Sequence, residues 1–332
     1  MNRQHEGRAE EILEPDLQIV DTHHHLFERP SGRYMIEDYL DDVGAGHHVV
    51  ASVYVETRAM ERAEGPEILK PLGEVEFVNG VAAMSASGGY GACRVAAGIV
   101  AYADLSAGAR VAELLDRAVA AAPDRLRGVR VLTNDPPWPE LARFYTKAPE
   151  AGILQRPGFR EGFGELAPRR LSFDAAAFHH QLPDIAELAD AFPATTIVLN
   201  HCGMALVYGA GAAERAEVEE RWAANLRELA RRPNVSCKVG GLGLPFWGFG
   251  FEKGEGAISS PMLAEAWRPY VERTIEIFGT GRCMVESNYP ADSRSAGWVP
   301  LWNALKLITA TCSAEEKAEL YSGTARRVYR LG

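Results

Sequence analysis

Three observations predict an α/β fold in which one sheet closes into a (β/α)8 TIM barrel. The sequence holds eight short Val/Ile/Ala-rich runs, longer helix-like or loop-like stretches separate them, and no Gly-rich phosphate loop follows the first run. Such alternation marks βα units rather than a sandwich. The competing open, doubly wound sheet needs only about five to seven strands and usually opens with G-x-G-x-x-G after the first. Here that place is taken by histidines.

The eight expected strands are Leu17–Thr22, Val49–Val55, Arg94–Ala101, Leu126–Leu132, Arg170–Phe173, Thr195–Asn200, Val235–Val239 and Arg282–Ser287. Amphipathic spacing predicts helices over Ala107–Ala122, Leu182–Phe192, Glu214–Arg231 and Leu263–Phe278. At a nominal ~150 residues per domain the chain would divide in two, but α/β barrels use such a length as one domain. No linker, repeat or low-complexity segment interrupts the 332 residues. Residues 1–15 read as an N-terminal arm and 16–332 as a single domain.

Composition narrows the function classes. Hydrophobic residues at 47% and charged residues at 24% are ordinary globular usage and exclude a disordered or fibrous chain. The net charge of −10, without a Lys/Arg run, argues against nucleic acid and anionic membrane as partners. The five cysteines, Cys93, Cys202, Cys237, Cys283 and Cys312, show no C-x-x-C spacing, so neither a disulfide framework nor a zinc ribbon is expected. The first sixteen residues lack an apolar signal core, and no segment has about eighteen consecutive apolar residues. A cytoplasmic enzyme with a small-molecule substrate is the expectation, and a homo-oligomer is left open.

The residues able to carry chemistry stand where apolar runs end. Asp21-Thr22-His23-His24-His25 stands where the first run ends; period-two alternation puts Asp21, His23 and His25 on one face and Thr22 and His24 on the other. The C-terminal end of a barrel strand is the catalytic mouth, so His23 and His25 would stand there, handling a metal or an oxyanion. His201, in Asn200-His201-Cys202-Gly203, ends the sixth run and can act as ligand, general acid/base or donor. His179 and His180 follow the fifth run and read equally well as mouth residues or as solvated groups at a helix start. His47 and His48 precede the second strand and are taken as structural. Glu286 and Asn288 end the eighth run on one face, before Pro290 stops the strand. Glu286 would look into the mouth, or else be a buried acid paired with Arg130 or Lys238.

In combination these motifs resemble the amidohydrolase-2 branch of the amidohydrolase superfamily, which includes fuconolactonase-like and pyrone-dicarboxylate lactonase-like hydrolases and, more distantly, metal-dependent decarboxylases. The D-T-H-x-H of Asp21–His25, the N-H-x-G of Asn200–Gly203 and the S-N-Y-P of Ser287–Pro290 come in the family's order, with Arg127–Arg130 and Gln181–Pro183 also matching. The likeness runs from about Leu17 to Leu331. It implies a distorted (β/α)8 barrel of the amidohydrolase type with a hydrolytic site at its mouth, in which His23, His25 and His179 match metal-ligating positions and His201 the sixth-strand histidine. Asn288 falls where the family usually has the aspartate that activates water. An amide has no useful basicity, so Glu286, two residues earlier on the same face, is expected to supply the missing carboxylate.

The resemblance thus implies a hydrolase opening a lactone or other cyclic ester of a small carboxylated or aromatic metabolite. One divalent metal, Zn or Mn, is slightly favoured, while metal-independent action is known among lactonase members. The alternatives are a non-oxidative decarboxylase or hydratase on the same site, and an inactive barrel that only binds. Gly240–Ser260, rich in glycine and aromatics, reads as a mobile lid with an apolar face or, equally, as a long loop with its aromatics packed beneath it. Arg130, Trp247 and Tyr289 are the expected substrate contacts.

Overall fold

The computed structural model describes residues 10–145, 149–254 and 257–332. Eight parallel strands follow one another in chain order around the sheet: β1 (Ile19–His24), β2 (Val49–Val55), β3 (Arg94–Tyr102), β4 (Leu126–Leu132), β5 (Ser172–Ala176), β6 (Ile197–Leu199), β7 (Val235–Val239) and β8 (Cys283–Val285). The circle is closed beyond β8. His24 forms a parallel bridge with Tyr289, the amides of His25 and Asn288 donate to the carbonyls of Tyr289 and His23, each at 2.8 Å, and Thr22 Oγ1 donates to Val285 O at 2.7 Å. This is the expected (β/α)8 barrel.

Helices cover the outside: α1 (Ile36–Val43), α2 (Leu72–Ala86), α3 (Val111–Ala121), α4 (Pro157–Phe163), α5 (Leu182–Ala191), α6 (Ala212–Ala230), α7 (Ser260–Phe278) and α8 (Trp298–Ile308). In α3 the buried positions Val111, Leu114, Leu115 and Ala118 follow the helical period and form one apolar stripe. Each such leucine contributes roughly 1.5–3 kcal/mol by burial. Inside the barrel, Val20, Val53, Val100, Val198 and Met284 pack with Tyr329 and Leu331 of the C-terminal segment, which plugs the barrel. Residues of the arm dock on the outer helices: Glu10 accepts from Ser260 N at 2.8 Å, and Lys306 Nζ donates to Leu13 O at 2.7 Å.

Three strands, β2, β4 and β7, lie where the sequence puts them, and the others shift by a few residues. The largest displacement is β5, expected over Arg170–Phe173. Arg170 is left-handed (φ 56°) and closes a 3-10 turn, so pairing starts at Ser172 and runs through the buried acid Asp174, a residue that breaks the apolar pattern. Among the described residues no helix is long and apolar enough to cross a membrane.

Candidate active site

The strand ends bring histidines, acids and an arginine to one place. Glu286, fully buried, sits just past β8. Its Oε1 lies 2.7 Å from Nδ1 of His201, just past β6. Its Oε2 lies 2.9 Å from Nδ1 of His23 on β1, at an angle that makes no hydrogen bond. The His23 ring is 4.7 Å from that of His201 and 4.9 Å from that of His25.

Arg130, on β4, places Nη1 3.1 Å from His23 Nε2. A guanidinium only donates, so Nε2 of His23 accepts and its ring proton belongs on Nδ1, facing Glu286. The same arginine is fixed by Glu56, directly after β2: Nε donates to Oε1 and Nη2 to the backbone carbonyl, both at 2.8 Å. His25 turns Nδ1 to Val55 O at 2.8 Å; since a carbonyl only accepts, Nδ1 carries the proton and Nε2 keeps its lone pair. Below this layer Lys238 pairs with Asp174 at 2.7 Å and donates to Thr22 O at 2.7 Å. Its Nζ is 3.4 Å from His23 Nδ1, and Tyr329 Oη donates to Asp174 at 3.0 Å.

Burial, followed by the charge of Lys238, holds His23 well below the usual imidazole range. Burial, followed by Arg130, does the same for His25. Both rings are therefore neutral near neutral pH.

The alternative pairing of Glu286 with Arg130 or Lys238 is not observed, since those cations hold Glu56 and Asp174. Asp21 leaves the face expected for it: the β1–β2 register is irregular between Asp21 and His24. Its carboxylate accepts from Tyr39 Oη at 3.0 Å and from Ser287 N and Oγ at 2.8 and 2.7 Å. His24 stacks on Tyr39 at 4.2 Å. Asn288 is left-handed (φ 53°) and donates from Nδ2 to Asp292 Oδ1 at 2.7 Å. Burial pushes the Asp292 carboxyl up to about 8.

His179 lies apart from the cluster, its Nδ1 accepting from Leu206 N at 3.2 Å, and His180 turns to Asp135 O. Among the described residues the three-donor grouping able to hold a cation is His23, His201 and Glu286, with one ligand atom each within 4.8 Å of one another. The buried Oε2 of Glu286, without a hydrogen bond and flanked by imidazole nitrogen, fits such a group. His47 is buried, with its Nδ1 3.0 Å from Lys306 Nζ.

A cavity of about 270 Å³ opens above His25, Glu56 and Arg130, with Arg58 on its wall and Phe144, Tyr145, Leu244 and Phe246 as apolar lining. Trp247 and Tyr289 are not in that lining. Trp247 is fully buried, donates Nε1–H to Gly241 O at 3.0 Å and packs on Tyr270 at 4.8 Å. Tyr289 donates to Ala296 O at 2.7 Å and packs on Trp298. In the segment expected to be a lid, Gly240 and Gly241 are close-packed: a Cβ on Gly240 would meet Glu286 Cγ at 2.4 Å, and one on Gly241 would meet His201 Nδ1 at 2.2 Å. Residues 255 and 256 of that segment fall outside the described residues.

Sequence reasoning passes over Glu56, Asp174 and Asp292. Glu56 follows the apolar run of β2 just as the histidines follow β1, a signal available from its position alone.

A closed parallel barrel carrying imidazoles and a carboxylate past the ends of its strands is the architecture of an amidohydrolase. The family model described as Amidohydrolase matches residues 20–331, and the chain belongs to that family. It is 31% identical to the uncharacterized protein y4mH of Sinorhizobium fredii, over 95% of this chain and 99% of that one. It is 27% identical to an L-fucono-1,5-lactonase of Burkholderia multivorans, over 94% and 96%. A crystal structure of an amidohydrolase from Burkholderia multivorans with bound zinc shares the fold, with a TM-score of 0.72 at 23% identity, over 95% of this chain and all of that one.

Proposed function

We propose that this chain hydrolyses a lactone or other cyclic ester of a small carboxylated or aromatic metabolite. The observation that carries the reading is Glu286, buried between His23 and His201 with Nδ1 of His201 2.7 Å from its Oε1. A carboxylate only accepts, so it fixes the proton of His201 on Nδ1 and leaves the lone pair on Nε2. His201 Nε2 takes a proton from water as the water oxygen attacks the ester carbonyl carbon. The carbonyl oxygen gains negative charge and is held by Arg130 Nη1, whose position Glu56 fixes. Collapse breaks the ring C–O bond, and the proton on His201 passes to the leaving oxygen, giving the open hydroxy acid. Glu286 thus stands for the missing eighth-strand acid by acting through His201.

His23, His201 and Glu286 are the residues that would hold a divalent cation, zinc or manganese; binding it would displace the imidazole protons that face Glu286, and it would then supply Lewis-acid polarisation of the ester carbonyl and of water in place of the free His201 base. The apolar cavity lining suits a ring, and Arg58 on its wall suits a carboxylate.

The test is a panel of sugar, carboxylated and aryl lactones, with ring opening followed by NMR and carbon dioxide measured in parallel. Conversion to hydroxy acids is the expected result. Release of carbon dioxide would replace this reading with the decarboxylase, and no conversion would leave a barrel that only binds.

A further inference from the structure

We propose that Glu74, which lies outside the cavity, sets the cavity wall and is the positioning residue for Thr57 and Arg58. The inference rests on the reading above only in taking this cavity as the substrate site.

Glu74 is in the first turn of α2 and is 1% exposed. Its Oε1 accepts from four donors: Tyr54 Oη at 2.7 Å, Thr57 N at 2.8 Å, Thr57 Oγ1 at 3.0 Å and Ala59 N at 3.3 Å. Three of the four belong to the loop after β2. Two non-glycine residues of that loop, Arg58 (φ 62°) and Met60 (φ 57°), are left-handed. Each is strained for a residue with a side chain and persists only when its surroundings over-determine it. The carboxylate provides that determination, together with Gly73, where a Cβ would meet Met60 O at 2.5 Å.

Thr57 and Arg58 face the substrate space. Thr57 O receives a hydrogen bond from Arg29, and the Arg58 guanidinium lies 3.7 Å from the centre of the Tyr102 ring, held also by Glu61. Among the described residues Glu74 is bonded only to neutral groups, and its Oε2 has no hydrogen-bond partner. Burial and the neighbouring Glu56 push its carboxyl up to about 7. A buried acid without a counter-cation is poor for stability; what it supplies is the shape of one loop.

The experiment compares Glu74→Gln, Arg58→Ala and the double variant. An amide oxygen is a weaker acceptor for the same donors. Glu74→Gln is expected to raise KM about three- to tenfold with kcat within about twofold, because the groups that handle protons are on other strands. In the double variant the rise in KM is expected to fall short of the product of the two single effects, since Glu74 works in part through Arg58. Amide exchange over residues 54–62 is expected to quicken in Glu74→Gln without any ligand, a readout independent of the reaction. A folded Glu74→Gln with unchanged KM, an effect that adds fully to Arg58→Ala, or unchanged exchange would overturn the proposal. Should the glutamine variant fail to fold, Thr57→Val, which removes one donor to Oε1, takes its place with the same expected direction. Failure of the lactone reading would show in the wild-type assay, and failure of this one in the exchange data.

Discussion

Glu286 and His201 meet at 2.7 Å across a strand that lies between them. They stand past β8 and β6, and β7 separates the two in the sheet. The contact exists because β7 runs out into Gly240 and Gly241, where any side chain would occupy the space of Glu286 Cγ or of the His201 ring. Two glycines are therefore part of the site although they carry no chemistry.

Gly241→Ala tests this directly. The new methyl would fall on the His201 ring, and the left-handed φ of 63° adds roughly 1–2 kcal/mol for a non-glycine residue. The ring must move away from Glu286. Activity is expected to fall by about a hundredfold or more, the size of a general-base contribution, while the melting temperature falls by only a few degrees. A fully active Gly241→Ala protein would show that the contact is dispensable.

The acid itself is probed by Glu286→Gln. Arg130 and Lys238 hold their own carboxylates, so neutralising Glu286 strands no cation, and stability should change little. The amide can present an N–H to His201 and impose the wrong tautomer. The expected outcome is a loss of about a hundredfold or more in kcat, with Asn288→Ala costing less because Asn288 is bonded to Asp292 rather than to the rings. Near-normal kcat in Glu286→Gln would remove Glu286 from the mechanism, and a collapse in stability would make it an architectural acid.

What was legible in the sequence follows from where the chemistry stands. His23, His25 and His201 end apolar runs, and strand ends are where a barrel exposes side chains to its mouth. The partners of these residues were not legible, because they are set by distances across the barrel: Arg130 meets Glu56 seventy-four positions away, and no local pattern encodes that. Trp247 shows the opposite failure. An aromatic in a glycine-rich loop reads the same whether it faces a ligand or packs under the loop, and here it packs on Tyr270. Two of the loop's glycines, Gly240 and Gly241, carry information about the site, as clearance for Glu286 and His201.

A third prediction concerns the cation. If His23, His201 and Glu286 hold zinc or manganese, dialysis against a chelator should abolish activity, and the added ion should restore it and raise the melting temperature. Full activity in metal-free protein would leave catalysis to the imidazoles, Glu286 and Arg130 alone.

The last prediction exploits the pairing of Asn288 with Asp292. Their side chains touch at 2.7 Å through an amide N–H and a carboxylate oxygen, so Asn288→Asp alone sets two carboxyls in contact. Like charges at that distance cannot both ionise, and one proton stays between them. Asp292 already has its carboxyl raised to about 8 by burial, and a second acid raises the pair further. A carboxyl raised in the folded state lends stability that is fully present below the unfolded value near 4 and is lost as pH rises through the folded value. Asn288→Asp should therefore be close to wild type in melting temperature at pH 5 and clearly lower at pH 9. The exchanged double variant, Asn288→Asp with Asp292→Asn, restores one amide and one acid in contact and should recover the loss at pH 9. Thermal melts at the two pH values decide it: a double variant as unstable at pH 9 as the single one would show that something other than this contact fixes residues 288 and 292.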